Sequence, residues 1–426
     1  MKLGIFNLMN QHKLEQREVF DGTIACVKLA EEIGFDVAWF AEHHFSNYSL
    51  CPSPLMMAAA VARETSRIGL GPAVVVAPLY NPIRVAEEVA LLDQLSHGRA
   101  VLGIGSGYQR FEFDAFGADL AERQDRMLEV WQIIDQAVHE NRFEHRGRFY
   151  QLPNVPQAIR LHTKRPLETF FVSWSQPIID YAVRRGAVPF ITVGWGDSAA
   201  LKGMRDFVAS RYAEAGHSLA GRRFAAQRYV YVTDDDAELT RAAEGIRYAG
   251  RCAGQMRTGA QKLDGHVIVD SPVADEPSLE TIKASVPIGP AEVVAERLLN
   301  EIRSVGITDL SCFTWPAGVE PRLALKSMER FGATVLPRLV AKSGVVYGSF
   351  ATIVGLFTLL YLVSQVLVYA GEIAIVRRRR LWPRALDMTK PTTADRRALT
   401  YLAREQERTV IERVDTRFDA EPEGPD

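Results

Sequence analysis

Residues 37–54 read VAWFAEHHFSNYSLCPSP, and this stretch decides the fold that we expect. Residues 37–40 have the length and apolar composition of a buried parallel strand. The strand ends at a polar, ring-bearing run that contains Glu42, His43 and His44. In a barrel of parallel strands the chemistry lies at the strand ends, where a histidine can act as a general base near neutral pH. The alternative is a structural histidine pair beside a carboxylate, and the rest of the chain must decide between them.

Strands and helices alternate along residues 1–340. Helical spacing over 19–33 ends at Gly34, and Asn81 with Pro82 opens a further helix. The eight predicted strands are 2–6, 37–40, 68–76, 100–104, 169–172, 190–193, 229–232 and 310–313. Eight strands with helices between them predict an α/β fold, a (β/α)₈ TIM barrel.

Two insertions interrupt this alternation. Residues 143–166 have aromatic strands around Gly147 and predict a hairpin beside the barrel mouth. Residues 251–288 are rich in Gly, Ser, Asp and Pro and are too long for an ordinary connection. We expect this second insertion to be a mobile lid or a partly disordered loop, which would suit a reaction that excludes water.

Composition excludes several classes of protein. The 426 residues carry a net charge of -2, which leaves no basic footprint for nucleic acid. The four cysteines have no CxxC spacing, so neither a zinc site nor a disulfide framework is indicated. The N-terminus lacks the apolar run of a secretory signal, so we expect the barrel to be cytoplasmic.

Polar and small residues follow several predicted strands and form the candidate site. They are Glu42, His43, His44, Ala73, Val74, Gly105, Ser106, Gly107, Tyr108, Ser173, Trp174, Ser175 and Trp195. The glycines of GIGSGY would let backbone N–H groups approach an anion, and Ser173 and Ser175 add hydroxyl donors, so a phosphate cradle is one interpretation. A tight turn is the other. Since the sequence contains no metal-ligand cluster and no nucleophile motif, a bound organic cofactor is the expected carrier of the chemistry.

Residues 1 to about 340 resemble the bacterial luciferase-like flavin monooxygenases. The matching text runs in family order: KLGIF, GFDVAWFAEHHF, NPIRVAEEVALLDQLSHGR leading into GIGSGY, then SVPIGPAEVVAERL and VGITDLSCF. The resemblance implies a TIM barrel that binds reduced FMN at its C-terminal mouth, with the phosphate near the loops after the fourth and fifth strands. It also implies a homodimer.

Site residues carry over from this resemblance position by position. His43 matches the first histidine of the family's EHHF motif, a general base and stabiliser, with His44 and Glu42 as its neighbours. Ala73 and Val74 match a segment, often with a non-prolyl cis peptide, that lies against the isoalloxazine ring. Ser175 matches a phosphate-contacting serine.

Three positions depart from the luciferase pattern. Gly105 stands in place of a reactive cysteine, Ser106 in place of a phosphate-binding arginine, and Trp174 in place of a glutamate. Light emission is therefore not expected. Arg110 is a candidate replacement for the lost phosphate charge.

The implied reaction takes reduced flavin from a separate reductase. Oxygen adds at the flavin C4a position, and the resulting hydroperoxide oxidises an aldehyde, ketone or similar small organic molecule. Aromatic residues at the mouth, Phe45, Tyr48, Phe111 and Trp195, indicate an apolar substrate or simply rim packing. Two alternatives stay open: a deazaflavin-dependent oxidoreductase, and a non-catalytic flavin-binding or membrane-tethered protein.

The C-terminal tail differs from the barrel. Residues 345–371 carry no charge, and Arg377 to Arg380 follow them, so 345–376 is predicted as a transmembrane helix and 377–426 as a charged, partly disordered cytoplasmic tail. Residues 347–386 resemble the last span of the BrkB-type, ribonuclease BN-like inner-membrane proteins, which implies a fusion or an artefactual junction. A helical hairpin or an amphipathic surface helix is the alternative.

Overall fold

The computed structural model describes residues 1–342, 364–365, 369–370, 373–382, 392–405, 413–414 and 416–417. The chain divides into two units, Met1–Ser343 and Gly344–Asp426. The first unit contains the candidate site.

The strands are short and mostly apolar. They are β1 (Lys2–Asn7), β2 (Val37–Phe40), β3 (Gly69–Pro72), β4 (Val75–Val76), β5 (Leu102–Gly105), β6 (Arg142–Arg146), β7 (Gln151–Pro156), β8 (Thr169–Val172), β9 (Val188–Thr192), β10 (Ala225–Tyr229), β11 (Tyr231–Val232), β12 (Leu263–Asp264), β13 (Val267–Ile268), β14 (Ile288–Gly289) and β15 (Asp309–Phe313).

Helices follow most of these strands. They are α1 (Gln16–Ile33), α2 (Pro54–Ala62), α3 (Pro82–Leu95), α4 (Arg110–Ala115), α5 (Arg123–His139), α6 (Gln176–Arg185), α7 (Ser198–Glu214), α8 (Asp236–Thr258), α9 (Leu279–Ser285), α10 (Ala291–Val305), α11 (Pro321–Arg330), α12 (Leu336–Lys342) and α13 (Thr393–Arg404). A π-helical turn, Phe331–Val335, joins α11 to α12.

The main sheet is parallel and forms the predicted TIM-type barrel. Its strand order is β3-β2-β1-β15-β10-β9-β8-β5-β4, and β3 with β4 makes a single barrel strand interrupted at Ala73–Val74. A bridge between Leu70 and Ala100 links β3 to the segment just before β5. Helices cover the outside, so the strands are buried on both faces, which is why they read as apolar runs.

Helix boundaries follow the expected local signals. Asn81 caps α3 by accepting from the backbone N–H groups of Ile83 and Arg84, with Pro82 in the first turn. Gly34 ends α1 in the left-handed conformation, at φ 105°. Both ends were predicted correctly because capping depends on neighbouring residues alone.

The barrel interior is filled by a small apolar cluster that lies beneath the C-terminal cleft. It consists of Trp39, Val101, Phe170, Val188, Phe190 and Ala225. The Trp39 ring meets Phe170 edge-on, with ring centroids 4.8 Å apart. The interior is therefore a packed core rather than a pore.

The predicted seventh strand, 229–232, needs correction. The barrel strand is β10, Ala225–Tyr229, and β11 pairs instead with β14 in a separate two-stranded sheet. Arg228 hid the strand from the sequence pattern, because a charged residue interrupts the apolar run. Its guanidinium is fully buried and binds Glu301 of α10 through two hydrogen bonds of 2.8 and 2.9 Å.

The first insertion forms the predicted hairpin, in which β6 and β7 pair antiparallel. The hairpin packs on α5, where Glu129 accepts hydrogen bonds from the backbone of Phe149 and Tyr150. None of its described residues lines the cleft at the barrel mouth.

The second insertion contains regular secondary structure, which corrects the prediction of an irregular loop, while the mobile lid stays a prediction. Helix α8 extends through residues 251–258, β12 and β13 form a hairpin, and α9 follows. Ile268 and Ile282 are buried with Val286, so the segment has an apolar anchor that its overall polar composition concealed.

The four cysteines are buried and unpaired. In the second unit, Thr392 and Asp395 form a capping box at the start of α13. The predicted transmembrane segment falls largely outside the described residues. Within the described ranges, no helix is long and apolar enough to span a bilayer.

Candidate functional site

His43 lies just after β2, in the wall of a cleft at the C-terminal end of the barrel. Its Nδ1 is 3.1 Å from Oε1 of Glu112, which is buried at the start of α4 and also accepts the backbone N–H of His44 at 2.9 Å. A carboxylate can only accept, so we assign the proton to Nδ1 of His43. The Nε2 lone pair is then the group that His43 offers for proton transfer.

Gln109 also approaches this nitrogen. Its Nε2 lies 3.1 Å from Nδ1 of His43 and 3.2 Å from the hydroxyl of Tyr108, while its Oε1 is buried and has no partner among the described residues. Exchanging the amide oxygen and nitrogen of Gln109 leaves the shape of the side chain unchanged, so the hydrogen-bond partners decide its orientation. The orientation with Oε1 toward Nδ1–H suits the assigned tautomer.

Glu42 and His44 form a second pair beside the first. Nε2 of His44 donates to Oε1 of Glu42 at 3.0 Å, and the backbone N–H of Val76 donates to Oε2 at 3.0 Å. Burial raises the pKa of Glu42, although the His44 and Val76 hydrogen bonds oppose that shift. Glu42 therefore ties the end of β2 to β4, whereas His44 is not among the residues that line the cleft.

The peptide bond between Ala73 and Val74 is cis, and both residues line the cleft. Packing explains the nearby glycines. A Cβ on Gly105 would lie 2.5 Å from Val74 Cγ2, and a Cβ on Gly107 would lie 2.6 Å from Val76 Cγ1. Close packing against Val74 and Val76 is therefore enough to explain Gly105 and Gly107 in GIGSGY, whether or not the loop binds an anion.

Further polar groups in the cleft wall come from the loop after β8, from α7 and from the start of α5. Ser173, Ser175 and Arg211 line the cleft, and Arg211 Nε donates to the carbonyl of Trp174 at 3.1 Å. Arg123 lines it too. Arg110, which the sequence suggested as a phosphate-binding residue, is exposed and does not line the cleft. Its Nη1 lies 3.7 Å from Oδ1 of Asp114.

Aromatic and aliphatic side chains form the rest of the wall. Tyr229 and Phe313 stack with ring centroids 4.4 Å apart, and Tyr48 lies 4.8 Å from the His43 ring. Burial raises the pKa of Tyr48 well above its usual value. Phe45 and Phe111 were predicted at the mouth, but neither lines the cleft. Their rings pack edge to face with centroids 5.9 Å apart.

Three observations fit a phosphate-bearing flavin or deazaflavin in the cleft. Its volume is about 730 Å³, within the range of about 300–1,000 Å³ that is usual for cofactor sites. The hydroxyl of Ser173 is buried and has no partner among the described residues. Arg123 and Arg211 supply positive charge on the wall.

The structure brings most of the predicted site residues to one cleft. Those that line it are Glu42, His43, Ala73, Val74, Gly105, Ser106, Gly107, Tyr108, Ser173, Trp174, Ser175 and Trp195. Sequence reasoning missed Glu112, Arg123 and Arg211. Glu112 is one residue of an exposed-looking helical segment, and only its contact with the EHHF loop, 69 residues earlier, distinguishes it.

Residues 1–309 match the family model of the luciferase-like monooxygenases. A protein of Sinorhizobium fredii described as "uncharacterized protein y4vJ" is 31% identical over 81% of this chain and 99% of its own length. The alkanal monooxygenase alpha chain of the Kryptophanaron alfredi symbiont is 26% identical over 80% of this chain and 99% of its own length. The oxygenase component of a flavin-dependent trigonelline monooxygenase from Acinetobacter baylyi is 26% identical over 76% of this chain and 90% of its own length.

Solved structures share the fold. Monooxygenase RslO1 of Streptomyces bottropensis has a TM-score of 0.68 at 19% identity, covering 79% of this chain and 99% of that one. The oxygenating constituent of a Pseudomonas putida diketocamphane monooxygenase, solved with FMN, has a TM-score of 0.62 at 22% identity. The match covers 79% of this chain and 98% of that one. A secondary alcohol dehydrogenase that depends on the deazaflavin F₄₂₀ has a TM-score of 0.60 at 18% identity. The match covers 79% of this chain and 98% of that one. These comparisons give no support to the predicted BrkB-type fusion.

Proposed function

Because the chain belongs to the luciferase-like monooxygenase family, we propose that it is the oxygenase component of a two-component, FMN-dependent monooxygenase. It would receive reduced FMN from a separate reductase and use O₂ to oxidise an aldehyde, a ketone or a similar small organic molecule. The observation that carries the proposal is the His43 ring in the cleft wall, held at Nδ1 by buried Glu112.

Bound reduced flavin would supply the electrons that activate oxygen. The chain's own residues would hold it. Ser173, Ser175, Arg123 and Arg211 would bind the phosphate, and the backbone at Ala73 and Val74 would support the ring system.

His43 would move a proton at its Nε2, since Nδ1 is engaged by Glu112. Glu112 orients the ring and fixes the tautomer, and Glu42 holds β4 against the end of β2. We assign His44 to support of Glu42, because its Nε2 is already bonded there and its ring lies away from the cleft.

The substrate would bind among apolar side chains. Phe6, Ile246, Tyr229 and Phe313 line the cleft beside Tyr48, and these walls favour an apolar molecule and exclude water from the reacting centre.

The decisive experiment is rapid mixing of the full chain, loaded anaerobically with reduced FMN, with oxygenated buffer. We expect a transient absorbance that precedes the spectrum of oxidised FMN, and oxidation of some members of a panel of aldehydes and ketones. Tight binding of F₄₂₀ in place of FMN would assign the deazaflavin alternative. Binding of flavin without any turnover would assign the non-catalytic alternative.

We also propose a homodimer. Three apolar side chains, Met56 of α2 with Leu91 and Leu95 of α3, are exposed on helices that contact each other. Light scattering should give twice the chain mass, and a monomer at micromolar concentration would contradict this proposal.

The membrane tether remains a prediction from residues 345–371. Carbonate washing of membranes from expressing cells tests it, since full release of the chain would exclude an integral span. The oxygenase proposal concerns the first unit and does not depend on that result.

A further inference from the structure

Asn47 is the most heavily bonded side chain in the loop that carries His43. It is 1% exposed, and its side chain makes three hydrogen bonds, two donated by Nδ2 and one accepted by Oδ1. Oδ1 accepts from the backbone N–H of Ile268 at 2.9 Å, and Nδ2 donates to the carbonyl of Gln11 at 2.8 Å and to the hydroxyl of Tyr248 at 2.7 Å.

The backbone of Asn47 adds two more bonds. Its N–H donates to the carbonyl of His266 at 2.9 Å, and its carbonyl accepts from the N–H of Gln11 at 2.9 Å. One buried residue thus connects four segments: the loop after β2, the loop after β1, helix α8 and the β12–β13 hairpin.

Two of these segments, the loop after β2 and helix α8, also supply residues that line the cleft. Tyr48, the next residue, lines the cleft beside the His43 ring, and its carbonyl accepts from Asn10 at 3.2 Å. Tyr248 precedes Ala249 and Gly250, which form part of the cleft wall on α8. The position of Asn47 therefore sets the spacing between the His43 loop and the α8 wall.

We propose that Asn47 is a positioning residue that fixes His43 and Tyr48 against α8 and couples the β12–β13 hairpin to the catalytic loop. The proposal rests on the function proposed above for the His43 cleft. A buried amide is costly unless its groups are bonded, so loosening any one connection should loosen the others.

The test compares Asn47→Ala with Arg251→Gln in the full chain. Arg251 holds a different part of the same insertion, through Asp270 at 2.9 Å and Glu276 at 2.6 Å. It therefore controls for general loosening of the insertion. Asn47→Asp, which keeps the shape and the Oδ1 acceptor, replaces Asn47→Ala if the alanine variant does not fold.

The first readout is hydrogen exchange of the protein without flavin. In Asn47→Ala we expect faster exchange in residues 43–51 and 262–269 together. In Arg251→Gln we expect faster exchange near 270–277 alone. Unchanged exchange in 43–51 of the Asn47 variant would overturn the proposal, and this result does not depend on catalysis.

The second readout is turnover with reduced FMN and oxygen. We expect Asn47→Ala to lower kcat by about 100-fold and to release hydrogen peroxide instead of product, because small displacements of a catalytic group have effects of this size. Its affinity for FMN should stay near the wild-type value, since the Asn47 side chain bonds Gln11, Tyr248 and Ile268 and none of the side chains proposed to bind the phosphate. Arg251→Gln should keep wild-type turnover.

A wild-type kcat in Asn47→Ala, or an equal loss in Arg251→Gln, would refute the positioning role. If the wild-type protein itself binds no flavin and consumes no oxygen, the proposed function fails, and the exchange experiment still decides whether Asn47 links the loop to the hairpin.

Discussion

The two ends of the barrel differ in how completely their polar groups are bonded. At the N-terminal end, Arg99 precedes β5 and donates to the hydroxyl of Thr65 and to four backbone carbonyl oxygens. The four carbonyls belong to Ala62, Thr65, Ile68 and Ser96. Nearby, Glu31 accepts the backbone N–H groups of three successive residues, 66–68.

At the C-terminal end, some buried polar groups have no partner among the described residues. Ser173 Oγ has no partner among the described residues, and His43 is bonded only at Nδ1 in the contacts described above. Glu42 and Glu112 are buried next to histidines rather than arginines. If the proposed function is right, this end gives up stability for binding and proton transfer, whereas the bonded N-terminal end stabilises the barrel.

The largest effect should follow from His43→Ala. Loss of a general acid or base lowers the rate by about 100- to 10,000-fold, and we expect substrate oxidation to fall by that much while the fold is kept. Steady-state product formation with a flavin reductase measures it. His217→Ala is the matched control, because His217 pairs with Asp180 outside the cleft. A wild-type rate in His43→Ala would remove the catalytic assignment.

Arg99→Met should test the opposite end. It leaves buried carbonyls without a donor, so we expect a loss of about 3 kcal/mol in the free energy of unfolding. Urea unfolding followed by tryptophan fluorescence measures the loss, and FMN affinity of the folded protein should not change. Arg165→Met, an exposed residue at the same end, should stay within about 0.5 kcal/mol of the wild type. Equal stability of the two variants would contradict the comparison.

Ser173→Ala should separate binding from stability. Removing an unpartnered hydroxyl should leave the unfolding free energy within about 1 kcal/mol of the wild type, yet weaken FMN binding about tenfold. Quenching of flavin fluorescence gives the affinity. Ser311 is also buried without a described partner but does not line the cleft, so Ser311→Ala should bind FMN normally. Parallel losses in both variants would argue against a flavin contact at Ser173.

The smallest effect concerns pH at the N-terminal end. Burial alone would raise the pKa of Glu31, but the backbone N–H groups of Ile68, Arg67 and Ser66 outweigh burial and lower it to about 2. The carboxylate therefore contributes stability above its ordinary pKa of 4.5, and this contribution is lost as the pH falls toward 2.

Glu31→Gln should consequently be less stable than the wild type at pH 7, by about 1 kcal/mol after solvent screening, and the difference should shrink below about pH 4.5. Urea unfolding at pH 7, 5, 4 and 3 measures it, with the neighbouring exposed Glu32→Gln as control. A difference that grows toward low pH would have the wrong sign for this interaction.

Much of the barrel could be predicted because its signals are local. Strand β2 has the predicted bounds, Val37–Phe40, since a short apolar run before a polar turn needs no distant partner to be recognised. The seventh strand could not be placed, because Arg228 reads as a surface residue until Glu301, 73 residues away, neutralises it. The helices and strands of the second insertion were missed because their contacts are distant in the chain, as when the Ile268 N–H binds Asn47.

The sequence by itself determined the kind of barrel and the placement of His43 at a strand end, because strand length, helix caps and apolar periodicity are properties of neighbouring residues. Only the tertiary structure decided that His43 rather than His44 lines the cleft. It also brought Glu112 to Nδ1 and placed Arg211, not Arg110, in the wall. Those relations join residues far apart in the chain, and barrel closure, not local preference, sets the distances between them.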